Sequence, residues 1–171
     1  MRANAWWLGW LVGLVPVAAG GRELAPKPKT VDPVCERLLP VAEVQRITGH
    51  QPLKLVPRRS LPAAGGTCNY TEGGSRMVLL FTLIDGKTRA REQYLRYKGQ
   101  PAYQPNQKEL SGLGEEGFTA GAYEHQLVAR KGAMVVMLAA MIQYDKATHA
   151  SHAGITREQL IALGKALVGR L

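Results

Sequence analysis

Two long apolar runs constrain the fold of this chain more than any other feature of its sequence. The residues from Arg76 to Ile84 read RMVLLFTLI, and the segment from Ala133 to Tyr144 contains AMVVMLAAMI. Because successive side chains of a strand point to opposite faces, a run that is apolar at both parities predicts a central strand covered on both faces. The second run has ten residues and is too short to cross a membrane as a helix.

Weaker strand patterns lie on either side of these runs. The segment from Tyr123 to Arg130 alternates apolar and polar side chains, which predicts a half-exposed strand. Turns such as Gly73-Gly74 join neighbouring strands, so the sheet is expected to be antiparallel. The polar segment from Asp145 to Gly154 is expected to be a loop. The other predicted strands are Gln51 to Arg59, which Pro57 limits to an edge or an early end, Thr67 to Thr71, Lys108 to Leu110 and Gly117 to Ala120.

Three helices complete the predicted fold. The first spans PVAEVQRITG, with Pro40 at its first helical position and Gly49 just past its end. The second covers Lys87 to Lys98. The third begins after Thr156, which is expected to form a capping box with Gln159. These elements predict the α+β class: a single domain with an antiparallel β-sheet and helices packed on it.

The N-terminal residues have the pattern of an export signal. A single charge, Arg2, precedes an apolar run that ends in VAAGG, which predicts a secretory signal over residues 1–20. An uncleaved membrane anchor is the alternative, because no charge occurs between Arg2 and Arg22. Residues 21–32 are expected to form a flexible arm, and residues 33–171 the folded domain. The predicted location is therefore periplasmic or secreted, or anchored to the membrane by the N-terminal segment.

The chain contains two cysteines, Cys35 and Cys68. In an oxidising compartment they most simply form one disulfide, which closes a ring of 34 residues from Cys35 to Cys68. The competing interpretation is a thiol nucleophile or a pair of metal ligands. The spacing is far from C-x-x-C, and the neighbouring Glu36 would not activate a thiolate, so the disulfide is the preferred prediction.

The chain is strongly basic, with a formal net charge of +9. This balance favours an anionic partner such as a polyanionic polymer, lipid head groups or an acidic protein. Nucleic acid is a less expected partner for an exported protein, and a merely solvated basic surface is the alternative. The candidate patch for an anionic partner consists of Lys54, Arg58, Arg59, Lys87, Arg89, Arg91, Arg96 and Lys98.

The sequence offers little that is typical of catalysis. It contains no G-x-S-x-G elbow, no H-E-x-x-H, no P-loop and no G-x-G-x-x-G after a strand. Glu115 and Glu116 lie together on a predicted turn, where adjacent side chains are expected to diverge, so they do not suit paired acid–base work. We therefore predict no catalytic residue, no metal and no cofactor. The alternative is a zinc site formed by His125, His149 and His152.

Several short motifs resemble those of a bacterial family. A cysteine shortly before LLPVAEVQRITG, a later CNY, GLGEEGF and LVARKG are similar to motifs of uncharacterised exported domains, commonest among actinobacterial secreted proteins and lipoproteins. The similarity spans Val34 to Leu171. It implies a sandwich-like α+β domain similar to PsbP, the extrinsic photosystem protein, a bond between Cys35 and Cys68, and a non-enzymatic role. The chain lacks the lipidation cysteine of the lipoprotein members.

The function predicted from the sequence is that of an exported, non-enzymatic accessory or binding domain, which engages an anionic partner or envelope component. The signal, the cysteine pair, the basic helix and the lack of catalytic motifs favour this hypothesis. Two alternatives are a small metal-dependent enzyme and a membrane-anchored structural protein of the envelope.

Overall fold

The computed structural model describes residues 33–56 and 66–171, which form one α+β domain. Its helices are α1 (Pro33–Leu38), α2 (Val41–Thr48), α3 (Ala90–Gly99) and α4 (Arg157–Gly169), with 3-10 turns at Lys87–Arg89 and Pro101–Tyr103. Its strands are β1 (Leu53–Val56), β2 (Thr67–Glu72), β3 (Arg76–Asp85), β4 (Lys108–Glu109), β5 (Glu116–Ala120), β6 (Gln126–Lys131), β7 (Met134–Ala140), β8 (Ile142–Asp145) and β9 (Ala150–Ala153). The predicted signal, the predicted arm and the patch residues Arg58 and Arg59 lie outside the described residues.

Seven antiparallel strands form the main sheet, in the order β1-β2-β3-β7-β6-β5-β4. The two apolar runs provide β3 and β7, which pair with each other over residues 79–85 and 134–140. Both strands lie inside the sheet, so their predicted central position is confirmed. The predicted cover on both faces is confirmed for β7, whereas on the α3 face only Ile84 of β3 packs into the apolar cluster. The predicted hairpin around Gly73 and Gly74 is confirmed as well, since it joins β2 to β3.

One face of the sheet, termed the α4 face, is covered by α1, α2 and α4. α4 begins with the predicted capping box: Thr156 Oγ1 accepts the Gln159 N–H at 3.3 Å, and Gln159 Oε1 accepts the Thr156 N–H at 2.9 Å. Each fully buried leucine stabilises the fold by about 1.5–3 kcal/mol relative to exposure. The buried stripe of α4 includes Leu160, Leu163 and Leu167.

The opposite face, termed the α3 face, has a smaller apolar cluster. Ala90 and Tyr94 of α3 are buried there against Phe118 of β5. The rings of Tyr94 and Phe118 meet edge to face with centroids 5.5 Å apart, and Tyr103 approaches the same phenylalanine at 6.2 Å. These aromatic contacts hold α3 over β6 and β7.

A disulfide joins Cys35 of α1 to Cys68 of β2, with a Cα–Cα distance of 5.7 Å. Both cysteines are 1% exposed, so the bond lies within the main core. The predicted pairing is confirmed, and the bond indicates an oxidising environment. Among residues 33–56 and 66–171, no helix has both the length and the apolar character needed to cross a membrane.

Two predictions about the C-terminal strands are wrong. β6 is buried along residues 127–129 rather than half exposed, because β5 and β7 flank it while α3 and α4 pack on its two faces. The polar segment after Asp145 is not all loop, since residues 150–153 form β9 and pair with β8. The second apolar strand accordingly ends at Ala140, and the chain then enters the β8–β9 ribbon.

Candidate functional site

Part of the α3 face has no helix over it among the described residues. α3 packs over β6 and β7, and the apolar cluster beneath it includes no residue of β1 or β2. The side chains that pack against the cluster on the α4 face include Leu53, Leu55, Cys68 and Phe81. Because side chains alternate along a strand, the residues next to them point to the α3 face. These neighbours are exposed or half buried and are termed the open sheet patch: Lys54, Val56, Thr67, Asn69, Leu80 and Thr82.

The basic side chains of α3 divide into two flanks, and one of them is neutralised. Arg91 Nε lies 3.4 Å from Glu116 Oε1 of β5. Lys98 Nζ pairs with the carboxylate of Glu109 on β4. Carboxylates at this edge of the sheet therefore offset the positive charge of Arg91 and Lys98.

The other flank carries cations without a carboxylate partner. Arg89 and Arg96 are exposed and form no ion pair with any described residue. Arg89 is the N-cap residue of α3, and Arg96 follows seven positions later, about two helical turns, so the two side chains lie on about the same side of the helix. Lys87, in the 3-10 turn before α3, is also exposed and has no ion pair within the described residues. These three residues are termed the α3 cation face.

Two acids lie close to the α3 cation face in the sequence. Glu92 follows Arg89 by three residues and precedes Arg96 by four, and it is exposed without an ion pair in the described part of the chain. Asp85 Oδ1 accepts the backbone N–H of Lys87 at 3.1 Å. Three cations against two acids leave this surface positive, and Glu92 is the residue that most weakens its field.

The structure brings only part of the predicted basic patch together. Lys54 is on the same face of the sheet as α3, but β1 and β7 are three strands apart, which places them about 14 Å from each other. Arg91 and Lys98 are held by carboxylates, as described above. Among the described members of the patch, those that are exposed and without an ion pair are Lys54 on β1 and the three residues of the α3 cation face.

Glu115 and Glu116 do not diverge, contrary to the sequence-based expectation. Arg130 of β6 holds both: its Nη1 is 2.6 Å from Glu115 Oε2, and its Nε is 2.7 Å from Glu116 Oε2. Hydrogen bonds from the Gly132 N–H and from Arg130 lower the pKa of Glu115, and the Arg130 guanidinium lowers that of Glu116. Two carboxylates held ionised in this way are poor proton donors, so the pair does not suit acid catalysis.

This cluster predicts how stability changes in acid. A carboxyl group whose pKa is lowered on folding stabilises the fold above its unfolded pKa, and that contribution is lost as pH falls through the folded value. The melting temperature should therefore decrease as the pH is lowered below 4.5, which is the ordinary pKa of a glutamate side chain. In Arg130→Gln the carboxylates lose their partner, so the difference in melting temperature between this variant and the parent should shrink from pH 7 toward pH 3.

Calorimetry across this pH range checks the expectation, with Arg96→Gln as the matched control because Arg96 has no carboxylate partner among the described residues. A constant difference between Arg130→Gln and the parent at all pH values would contradict the assignment.

The three histidines considered as zinc ligands are not arranged as a metal site. His149 Nδ1 is 3.0 Å from the Tyr144 hydroxyl in the β8–β9 ribbon, and His152 pairs across the same ribbon with Gln143. His125 precedes β6, where burial lowers its pKa. Within the described residues, no three His, Cys, Asp or Glu side chains come together as a metal-binding group.

Comparisons with family models, with curated proteins and with solved structures gave no match to this chain. The architecture defines an α+β domain with a mostly antiparallel sheet, helices on both faces and one internal disulfide.

Proposed function

We propose that this protein is an exported, non-enzymatic accessory or binding domain, which engages an anionic partner through the α3 cation face and the adjoining open sheet patch. The partner is an acidic protein, polymer or lipid surface of the envelope. In this proposal the cations attract and orient the partner, and the open sheet patch provides the contact area beside them.

The observation that carries the proposal is the unpaired charge of the α3 cation face. Arg89 and Arg96 project from one side of a helix, while the cations on its other side are neutralised by carboxylates. Elsewhere in the described residues, most arginines reach a carboxylate: Arg46, Arg76, Arg130, Arg157 and Arg170. An exposed cluster of like charge attracts an oppositely charged partner over about 8–10 Å at physiological salt.

The proposed location rests on two supports. The buried disulfide fits an oxidising compartment, and the N-terminal sequence has the pattern of a secretory signal. Retention of this segment as a membrane anchor is the alternative within the same proposal. The proposed function also includes two statements about relationship: membership of the actinobacterial exported family and a PsbP-like arrangement of the domain. The antiparallel sheet with helices on both faces supports the PsbP-like arrangement.

A pull-down from the native envelope tests the proposal. The double variant Arg89→Glu/Arg96→Glu is compared with Lys146→Glu/Lys165→Glu, which makes the same change in net charge. Both lysines are exposed and have no ion pair with a described residue, and they lie in the β8–β9 turn and on α4. The arginine variant should lose at least about nine-tenths of the captured partner, because reversed charges repel it, whereas the lysine variant should retain it. Captured proteins, polysaccharides and lipids are quantified separately.

The variant Glu92→Gln provides the opposite test. Removing the acid between Arg89 and Arg96 should increase capture and make it more resistant to salt, since the local field becomes more positive. Equal capture by the parent and by both double variants would exclude the α3 cation face as the binding surface.

A further inference from the structure

A cleft lies on the side of the sheet opposite to the α3 cation face. It is a cleft of about 320 Å³ between α1, the adjoining ends of β3 and β7, and the C-terminal end of α4. Its volume is at the small end of the range for ligand pockets, about 300–1,000 Å³. The lining residues are Arg37, Leu38, Leu83, Met134, Arg170 and Leu171.

The floor of the cleft is apolar. Leu38 and Leu83 are 2% and 7% exposed and belong to the main core. Met134 and Leu171 are partly exposed and pack against the same core. An apolar group entering the cleft would therefore displace water mainly from Met134 and Leu171, which favours binding.

The mouth of the cleft carries an excess of positive charge. Arg37 is exposed and forms no ion pair with the described residues. Arg170 donates from Nη1 to the Leu38 carbonyl oxygen at 3.1 Å, and its Nη2 is 3.4 Å from Glu43 Oε2. Glu43 also accepts from Arg46 at 2.6 Å, so its single charge is shared between two guanidinium groups. None of the described residues that line the cleft is acidic.

We propose that this cleft binds a single-chain alkyl carboxylate of medium length. The alkyl chain lies on Leu38, Leu83 and Met134, and the carboxylate accepts hydrogen bonds from Arg37 and from the free N–H groups of Arg170. A planar guanidinium is the side chain best suited to pair with a carboxylate. The volume of about 320 Å³ suits a single chain better than a two-chain lipid, and the cationic mouth selects against an alkyl ammonium group. This site is independent of the α3 cation face and does not rest on the proposed function.

Octanoate, 1-octanol and octylammonium are the probes, titrated calorimetrically into the disulfide-bonded protein. Octanoate should bind at one site, while octylammonium should not bind, because the arginines repel it. Arg37→Glu should weaken octanoate binding by at least about tenfold, through loss and reversal of one cationic partner. Lys146→Glu, which makes the same charge change in the β8–β9 turn, should leave it unchanged.

Two further measurements keep the test decisive. Leu171→Glu places a carboxylate in the cleft at a partly exposed position, and it should abolish octanoate binding with little change in melting temperature. With labelled methionine methyl groups, octanoate should shift the Met134 resonance and leave those of Met77, Met137 and Met141 in place. Equal binding of octanoate, octanol and octylammonium, an unshifted Met134 resonance, or unchanged affinity in Arg37→Glu would overturn the proposal.

Discussion

Reduction of the Cys35–Cys68 disulfide should lower the free energy of unfolding by about 3.8 kcal/mol. Cross-linking removes loop-closure entropy from the unfolded chain, and a ring of 34 residues gives that value in the chain-entropy model. The bond joins α1 to β2 inside the main core, so reduction also frees the helix that leads into the sheet. For a domain of this size the expected fall in melting temperature is about 10 °C or more.

Thermal unfolding with and without a reductant measures this effect. The variant Cys35→Ala/Cys68→Ala is the control: reductant should not change its melting temperature, which should lie close to that of the reduced parent. Below the melting temperature, reduction should leave binding by the α3 cation face intact, because neither cysteine lies near it. A shift of less than about 2 °C on reduction would show that the bond contributes little to stability.

Substitution of Phe118 by alanine should destabilise the domain by about 3–5 kcal/mol, the usual cost of removing a fully buried phenylalanine. The ring is 0% exposed and contacts both Tyr94 and Tyr103 edge to face. The apolar cluster beneath α3 is small, so few other side chains can fill the cavity. The loss should loosen α3, and with it the geometry of Arg89 and Arg96.

Denaturant unfolding of Phe118→Ala gives the free energy, and Leu95→Ala is the matched control on α3. Leu95 is 48% exposed, so its truncation should change stability by no more than about 0.5 kcal/mol. Hydrogen exchange should show faster exchange in α3 than in α4 of Phe118→Ala. A similar loss of stability in both variants would argue against Phe118 as the residue that holds α3 in place.

Local patterns were sufficient to predict the central elements. The residues of β3 and β7 are apolar at both parities, a pattern typical of strands inside a sheet, and both strands lie there. Thr156 and Gln159 form their capping box within one helical turn, so nothing distant is needed to recognise it. The end of α2 was also predictable from the sequence. Gly49 adopts φ 77° in the left-handed region, which favours glycine and ends the helix.

Elements that depend on distant partners were not predictable from the same patterns. β6 alternates in sequence like a half-exposed strand, but α3 and α4 cover both of its faces. The ASHA segment of β9 has small and polar side chains with little strand preference, and its pairing with β8 determines its conformation. The opening helix α1 has only six residues, too few for a helical repeat to be recognised.

The sequence by itself determined the α+β class, the two central strands and the pairing of the only two cysteines, because each depends on local hydrophobic patterns or on composition. It also showed that the α3 segment is basic. Only the tertiary structure decided which of those charges are free. Glu109 and Glu116 approach one flank of α3 from strands later in the chain, and ion pairing depends on distances that sequence spacing does not reveal. The exposed cations Arg89 and Arg96 are therefore a property of the fold.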